Sequence, residues 1–260
     1  MPYLWGDKYI YMRTFLVGLI LVSNSMLFGQ SGVQNIGEGL LINLSYAFQV
    51  PGEDLSSRFG SNFNLGLNTE YITNKSNFIF GLEGQFIFGN NVKTDVLANL
   101  RTPQGDIIAD DKTVANILLR QRGFYVGGLI GKIFSLSPSN PRSGIRLSLG
   151  AGLLQHKIRI QDDPTRDVSP VAGDYKKGYD RLSNGFALTQ FIGYQLLSTN
   201  RRMNFYIGFE LTEGFTQSRR DFNIDTRDVE TERRFDVLYG FRAAWVVPFY
   251  FGSGSEEIFY

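Results

Sequence analysis

The chain has 260 residues, room for one large or two small domains. Its 26 Lys and Arg against 25 Asp and Glu leave it nearly neutral, which argues against the basic face of a nucleic-acid binder. It contains no Cys, so disulfides, thiolate metal sites and Cys nucleophiles are excluded. Gly is abundant at 29 residues and aromatics reach 14 %, a pairing that suits a closed barrel with rings at its interfaces and glycines where its wall is crowded. The mean hydropathy of −0.12 is compatible with a membrane protein of that kind, because only alternate residues of a barrel strand face lipid.

The first thirty residues read as a secretory signal. Met12 and Arg13 precede an apolar run, FLVGLILV at 15–22, followed by Ser23, Asn24 and Ser25 and then MLFGQ. The apolar run is too short to span a bilayer, which needs about 20 residues. The expected cut follows Gly29 and leaves Gln30 as the mature N-terminus. Residues 1–11 form an upstream extension, with Met12 as the alternative start.

Eight runs of alternating apolar and polar residues follow. The first, 40–48, sets Leu40, Ile42, Leu44, Tyr46 and Phe48 against Leu41, Asn43, Ser45 and Ala47. Run 63–71 sets Phe63, Leu65, Leu67 and Tyr71 against Asn64, Gly66, Asn68 and Glu70, and run 78–88 sets a face of Phe and Leu82 against Gly81, Glu83 and Gln85. Run 123–134 leaves its phase open. Run 145–153 opposes Ile145, Leu147, Leu149, Ala151 and Leu153 to Arg146, Ser148, Gly150 and Gly152. Run 186–197 is again open in phase. Run 203–211 opposes Phe205, Ile207 and Phe209 to Tyr206, Gly208 and Glu210, and run 235–249 opposes its Phe, Tyr and Trp face to Asp236, Gly240, Arg242 and Ala244. Nine to eleven residues is the length a tilted strand needs to cross a bilayer.

The gaps alternate. Residues 49–62, 89–122, 156–184 and 213–234 form long polar gaps; 72–77, 135–144 and 198–202 form short ones. This rhythm predicts an all-β fold: an eight-stranded antiparallel up-and-down transmembrane barrel over 37–251. Three short turns and both termini lie in the periplasm, and four long loops lie outside. Residues 30–36 form a mature N-terminal segment and 252–260 a periplasmic tail.

With the apolar face outward, the bore receives Glu70, Glu83, Arg146, Glu210 and Arg242, together with Asn43, Asn68, Gln85, Asp236 and, from the open-phase runs, Lys132 and Gln190. Buried charges are costly unless paired, so a salt-bridged filling is expected; a selective ion path is the functional alternative. His156 is the one His, placed just past the outer end of its run. It reads as a rim residue near lipopolysaccharide phosphates, or as the base of a lipid A-modifying barrel enzyme, although no Ser-containing triad is visible from spacing. Asp162, Asp163, Asp167, Asp174 and Asp180 could offer oxygen ligands to a hard cation, but Lys176, Lys177 and Arg181 interrupt them and the spacing is irregular. Residues 96–108 are more apolar than an exposed loop should be, so they fold over the mouth or meet another protein. No phosphate-cradling loop or zinc spacing is present. The reading therefore assigns no catalytic residue, no metal and no cofactor.

A signal ending FGQ, the eight alternating runs, the glycine spacing from Gly123 to Gly131 and a last run rich in Tyr, Phe and Trp resemble the small outer-membrane β-barrels of Bacteroidota, including PorT-type and OmpA-like barrels. The resemblance covers 37–251 and implies a non-enzymatic subunit of an envelope machine for secretion, barrel assembly or nutrient uptake. Its implied partners are outer-membrane lipid, lipopolysaccharide and other outer-membrane proteins, with no nucleic acid. A narrow channel for ions or small solutes and a lipid A-modifying enzyme are the two alternatives.

Overall fold

The computed structural model describes residues 37–198 and 203–251. The expected signal peptide, the mature N-terminal segment and the C-terminal tail lie outside the described residues. The described residues form ten strands: β1 (Gly39–Gly52), β2 (Asn62–Ile72), β3 (Phe78–Gly89), β4 (Ile107–Ile108), β5 (Val114–Ala115), β6 (Leu118–Ser135), β7 (Gly144–Gln161), β8 (Ser183–Leu197), β9 (Asn204–Ser218) and β10 (Arg233–Tyr250). A single α-helical turn, α1 (Glu53–Arg58), follows β1. Eight strands close a barrel in the order β1-β10-β9-β8-β7-β6-β3-β2, and β4 and β5 form a separate two-stranded hairpin.

Closure comes from β1 and β10, which pair antiparallel from Gly39 opposite Tyr250 to Gly52 opposite Val237. Every barrel strand thus has two antiparallel neighbours and no edge is left open, the condition for placing strands in hydrocarbon. Gly127 on β6 and Gly152 on β7 face each other across two adjacent strands. A Cβ on Gly152 would stand 2.6 Å from the Gly127 Cα, and one on Gly127 would stand 2.5 Å from the Ala151 carbonyl oxygen, so only glycine fits both places.

The alternation of the sequence becomes an inside and an outside. Leu82 is 71 % exposed and Phe209 66 %, and large apolar side chains stand outward on every barrel strand. Water-soluble proteins do not expose apolar surface around a whole circumference. On β6 the outward stripe of apolar side chains runs from Phe134 up to Phe124. At the usual rise and tilt of barrel strands, ten residues give a height of about 25 Å, which is that of an outer-membrane apolar band. Rings cluster on this exterior: Phe63 lies 5.6 Å from both Tyr46 and Phe48 and 6.2 Å from Phe88, and Phe215 lies 5.4 Å from Phe235.

The two open phases are now settled. On β6, Tyr125, Leu129 and Ile133 face inward while Val126, Ile130 and Phe134 face out. Lys132 shares the outward parity, with its ammonium 4.7 Å from the Phe78 ring and 5.3 Å from the Phe134 ring. On β8, Ala187, Thr189 and Phe191 face inward and Gln190 outward. Lys132 and Gln190 therefore do not line the bore. A register shift of one residue turns every side chain to the other face, and their runs carried apolar residues on both parities. The first long gap is also shorter than expected. β1 continues to Gly52, and the connection to β2 is occupied by α1.

One end of the barrel carries the connections 73–77 and 136–143 and the end of β8 beside the start of β9, and the other carries 53–61, 90–117, 162–182 and 219–232. We call these the short-turn end and the long-loop end.

Candidate functional site: the bore and its cap

The inward faces of the strands build three tiers. The lowest lies near the short-turn end. There Arg146 on β7 donates from Nη2 to Glu70 on β2 at 2.6 Å and from Nη1 to Gln195 on β8 at 2.8 Å. Its guanidinium carbon lies 4.4 Å from the centre of the Tyr206 ring. Below and around it pack Leu41, Ile79, Ile133, Leu197 and Val246, which close this end with apolar side chains.

The middle tier centres on Arg242 of β10. It donates from Nη1 to Glu83 of β3 at 2.5 Å and pairs through Nη2 with Glu210 of β9. Gln85 Nε2 donates to Glu83 at 2.7 Å, and Asn64 Nδ2 donates to Gln85 Oε1 at 2.5 Å. All five residues expected to form the lumen charge network, Glu70, Glu83, Arg146, Glu210 and Arg242, are buried in the bore and divide between these two tiers. Two of the bridges, Arg146 to Glu70 and Arg242 to Glu83, are transverse: β3 and β6 lie between β2 and β7, and β1 and β2 lie between β3 and β10. These two braces tie walls that share no backbone pairing, whereas Arg242 and Glu210 sit on the paired neighbours β10 and β9.

The upper tier was not anticipated as a unit. His156 Nε2 lies 2.8 Å from Asp236 Oδ2, and Thr216 Oγ1 donates to the same oxygen. Arg234 Nη2 donates to Asp236 Oδ1 at 3.1 Å, and Glu230 receives Arg234 at 3.4 Å and also pairs with Arg58 from the end of α1. The reading of His156 as a rim residue is corrected: it is 1 % exposed and points into the barrel, with Phe59 edge-on at 5.9 Å. Its Nδ1 meets no hydrogen-bond partner among the described residues. Sequence parity carried the missing signal. His156 shares the inward parity of Arg146 and Leu154 along one unbroken β7.

Above this tier the long connections fold into a cap with its own apolar core. Leu55 and Phe59 come from the first connection, Val96, Leu97 and Ile107 from the second, Val168, Val171 and Tyr179 from the third. They pack with Leu154 and Ile158 at the top of the barrel. The unusually apolar segment 96–108 thus folds over the mouth. Its hairpin puts Ile107 and Ala115 down into the core and leaves Ile108 and Val114 outward.

Four of the five loop acids are spent on structure through their carboxylates, and Asp167 contributes its backbone carbonyl, which accepts the Asp110 N–H at 2.9 Å. Asp163 accepts the backbone N–H of Asn116 at 2.8 Å and of Thr165 at 2.9 Å, which ties the second connection to the third. These donated hydrogen bonds, with that of the Thr165 hydroxyl, hold its carboxyl far below the usual carboxylate range. Its contribution to the cap is complete above the unfolded value of about 3.9 and is lost as pH falls through the lower folded value. Asp162 pairs with Lys176, Asp174 with Lys177 at 2.6 Å, and Asp180 takes both Nε and Nη2 of Arg220 at 2.8 and 2.6 Å. Among the described residues no three His, Asp or Glu gather as metal ligands.

One polar pair stands on the apolar exterior. Gln190 Nε2 on β8 donates to Glu213 Oε2 on β9 at 3.0 Å, between the outward Leu188, Ile192 and Phe215.

A closed antiparallel ring with an apolar exterior, a cross-braced polar bore and a folded cap at one end defines a membrane-spanning β-barrel of the outer-membrane type. No helix among the described residues is long and apolar enough to cross a membrane; the crossing elements are strands. No family model and no curated protein matches the chain. Among solved structures it is similar to Ail, the attachment invasion locus protein of Yersinia pestis, in complex with the heparin analogue sucrose octasulfate. That match has 14 % identity and a TM-score of 0.35, and covers 82 % of this chain and 99 % of that one. It is also similar to a mutant of the TodX monoaromatic hydrocarbon channel, at 8 % identity and a TM-score of 0.19, covering 87 % of this chain and 92 % of that one.

Proposed function

We propose that this chain is a non-enzymatic integral outer-membrane barrel that serves as an accessory subunit of an envelope machine, for secretion or outer-membrane protein assembly. Its long-loop end faces outward and makes the contacts. The observation that supports this reading is the filled bore. Apolar layers lie at both ends and ion pairs brace the middle, so specific contacts fall to the outer surface of the cap. That surface carries Ile108, Val114, Tyr175, Phe222 and Val229 exposed among charges, the composition of a protein-binding patch. The same reading places lipid and lipopolysaccharide around the belt. The test is native purification from gently solubilised cells. The full chain is expected to retain defined outer-membrane proteins, and a chain carrying Ile108→Ser with Val114→Ser is expected to lose them while still folding. A monodisperse monomer from the unaltered chain, or equal retention by the variant, overturns the proposal.

A further inference from the structure

The outward face of β6 and β7 changes character abruptly. Below, it is Phe134, Ile130, Val126 and Phe124 on β6, broken by Lys132 against the Phe78 and Phe134 rings, and Leu147, Leu149 and Leu153 on β7. Above, it is Arg122 and Arg120 on β6 and Lys157 and Arg159 on β7. The four cations are paired in register, Arg122 opposite Lys157 and Arg120 opposite Arg159. Like charges directly opposite on neighbouring strands repel and weaken the sheet unless something anionic lies between them.

The described residues do not supply that anion. Among the described residues no carboxylate lies within 4.0 Å of Arg120, Arg122 or Arg159. Lys157 has only Asp180, at 3.7 Å, and that carboxylate already holds Arg220 in a bidentate pair. The groups that orient the guanidiniums are neutral. Gln161 Oε1 accepts Arg120 Nε at 2.6 Å, Asn90 Oδ1 accepts its Nη1, and the Gln121 carbonyl accepts Arg122 Nη1 at 2.6 Å. Such acceptors position the forks and leave their charge uncancelled. A guanidinium fork matches the paired oxygens of a phosphate.

We infer that Arg120, Arg122, Lys157 and Arg159 form a binding site for the phosphate groups of an anionic lipid in the outer leaflet. The position commits the site to lipid rather than to a soluble anion. The cations begin one residue pair above the apolar stripe, so phosphates seated on them place acyl chains directly down Phe124, Val126 and Leu153. This inference rests on the outward orientation of the long-loop end proposed above. It uses the barrel alone, so its failure leaves the subunit reading untouched.

The experiment places the purified barrel in phosphatidylcholine nanodiscs doped with diphosphorylated lipid A, or with the same lipid stripped of its phosphates, and counts retained lipid by native mass spectrometry. The expected result is at least tenfold preference for the phosphorylated form, suppressed by salt. Preference should fall tenfold or more in the R120Q/R122Q/K157Q/R159Q variant. Heat-modifiable gel mobility, unchanged in that variant, shows that the fold survives, and R122K/R120K is expected to keep part of the preference. Equal retention of the two lipids, equal retention by the folded variant, or complete competition by millimolar inorganic phosphate would overturn the assignment.

Discussion

Arg242 shows how much one side chain can decide inside a narrow bore. It neutralises two carboxylates, Glu83 and Glu210, from a position of almost complete burial. An ion pair in such a place adds little over apolar packing, but removing one partner strands the others. Arg242→Met is therefore expected to cost about 3–5 kcal/mol, read as the fall in urea midpoint of the refolded barrel. Glu210→Gln should cost less than half of that, because three acids (Glu70, Glu83 and Glu210) face two arginines (Arg146 and Arg242) in the lower tiers and losing one acid relieves the excess. Equal losses in the two variants would show that Arg242 is held by something other than these two acids.

At the scale of the element, β7 explains why its run looked short. Within the belt its outward face is apolar and its inward face small or charged; from Leu154 onward the faces exchange, with Leu154, Ile158 and Ile160 inward and Lys157 and Arg159 outward. The strand has left the bilayer and become the wall of a water-bathed cap, where apolar belongs inside. The β8–β9 pair shows the opposite kind of exception. Glu213 with Gln190 places a carboxylate on the exterior belt, at a cost that lipid does not offset. Glu213→Leu should raise the stability of the isolated barrel in lipid by about 1 kcal/mol, measured by urea unfolding in vesicles. If this face docks on a neighbouring barrel, the same change should weaken co-purification; a loss of stability in the isolated barrel would show instead that the pair is favourable in lipid.

For the whole molecule the consequence is a closed cylinder. Eight strands leave a bore that side chains can fill. Here it is filled at the short-turn end by Leu41, Ile133 and Val246 and at the long-loop end by Leu55, Phe59 and Ile158, with cross-barrel ion pairs between. Reconstituted into planar bilayers, the protein is expected to show no discrete conductance at any modest potential. Regular open steps, abolished by a change at Glu83, would revive the channel reading and count against a filled bore.

The sequence by itself determined the eight barrel strands, their order along the chain and, in six runs, which residues face inward, but not the small β4–β5 hairpin within the second long gap. Alternation at period two is a local property, written into neighbouring residues and independent of what lies across the barrel. It therefore also placed Glu70, Glu83, Arg146, Glu210 and Arg242 in the bore. Only the tertiary structure decided who meets whom: Arg146 with Glu70, Arg242 with both Glu83 and Glu210, and His156 with Asp236. All of them except Arg242 with Glu210 cross the bore between strands that are not hydrogen-bonded, so they depend on the stagger of the closed sheet and on the path of the loops. The inversion of β7, the burial of residues 96 and 97 beneath the cap and the outward turn of Lys132 and Gln190 have the same origin: each depends on where the bilayer ends and what the chain folds against beyond it.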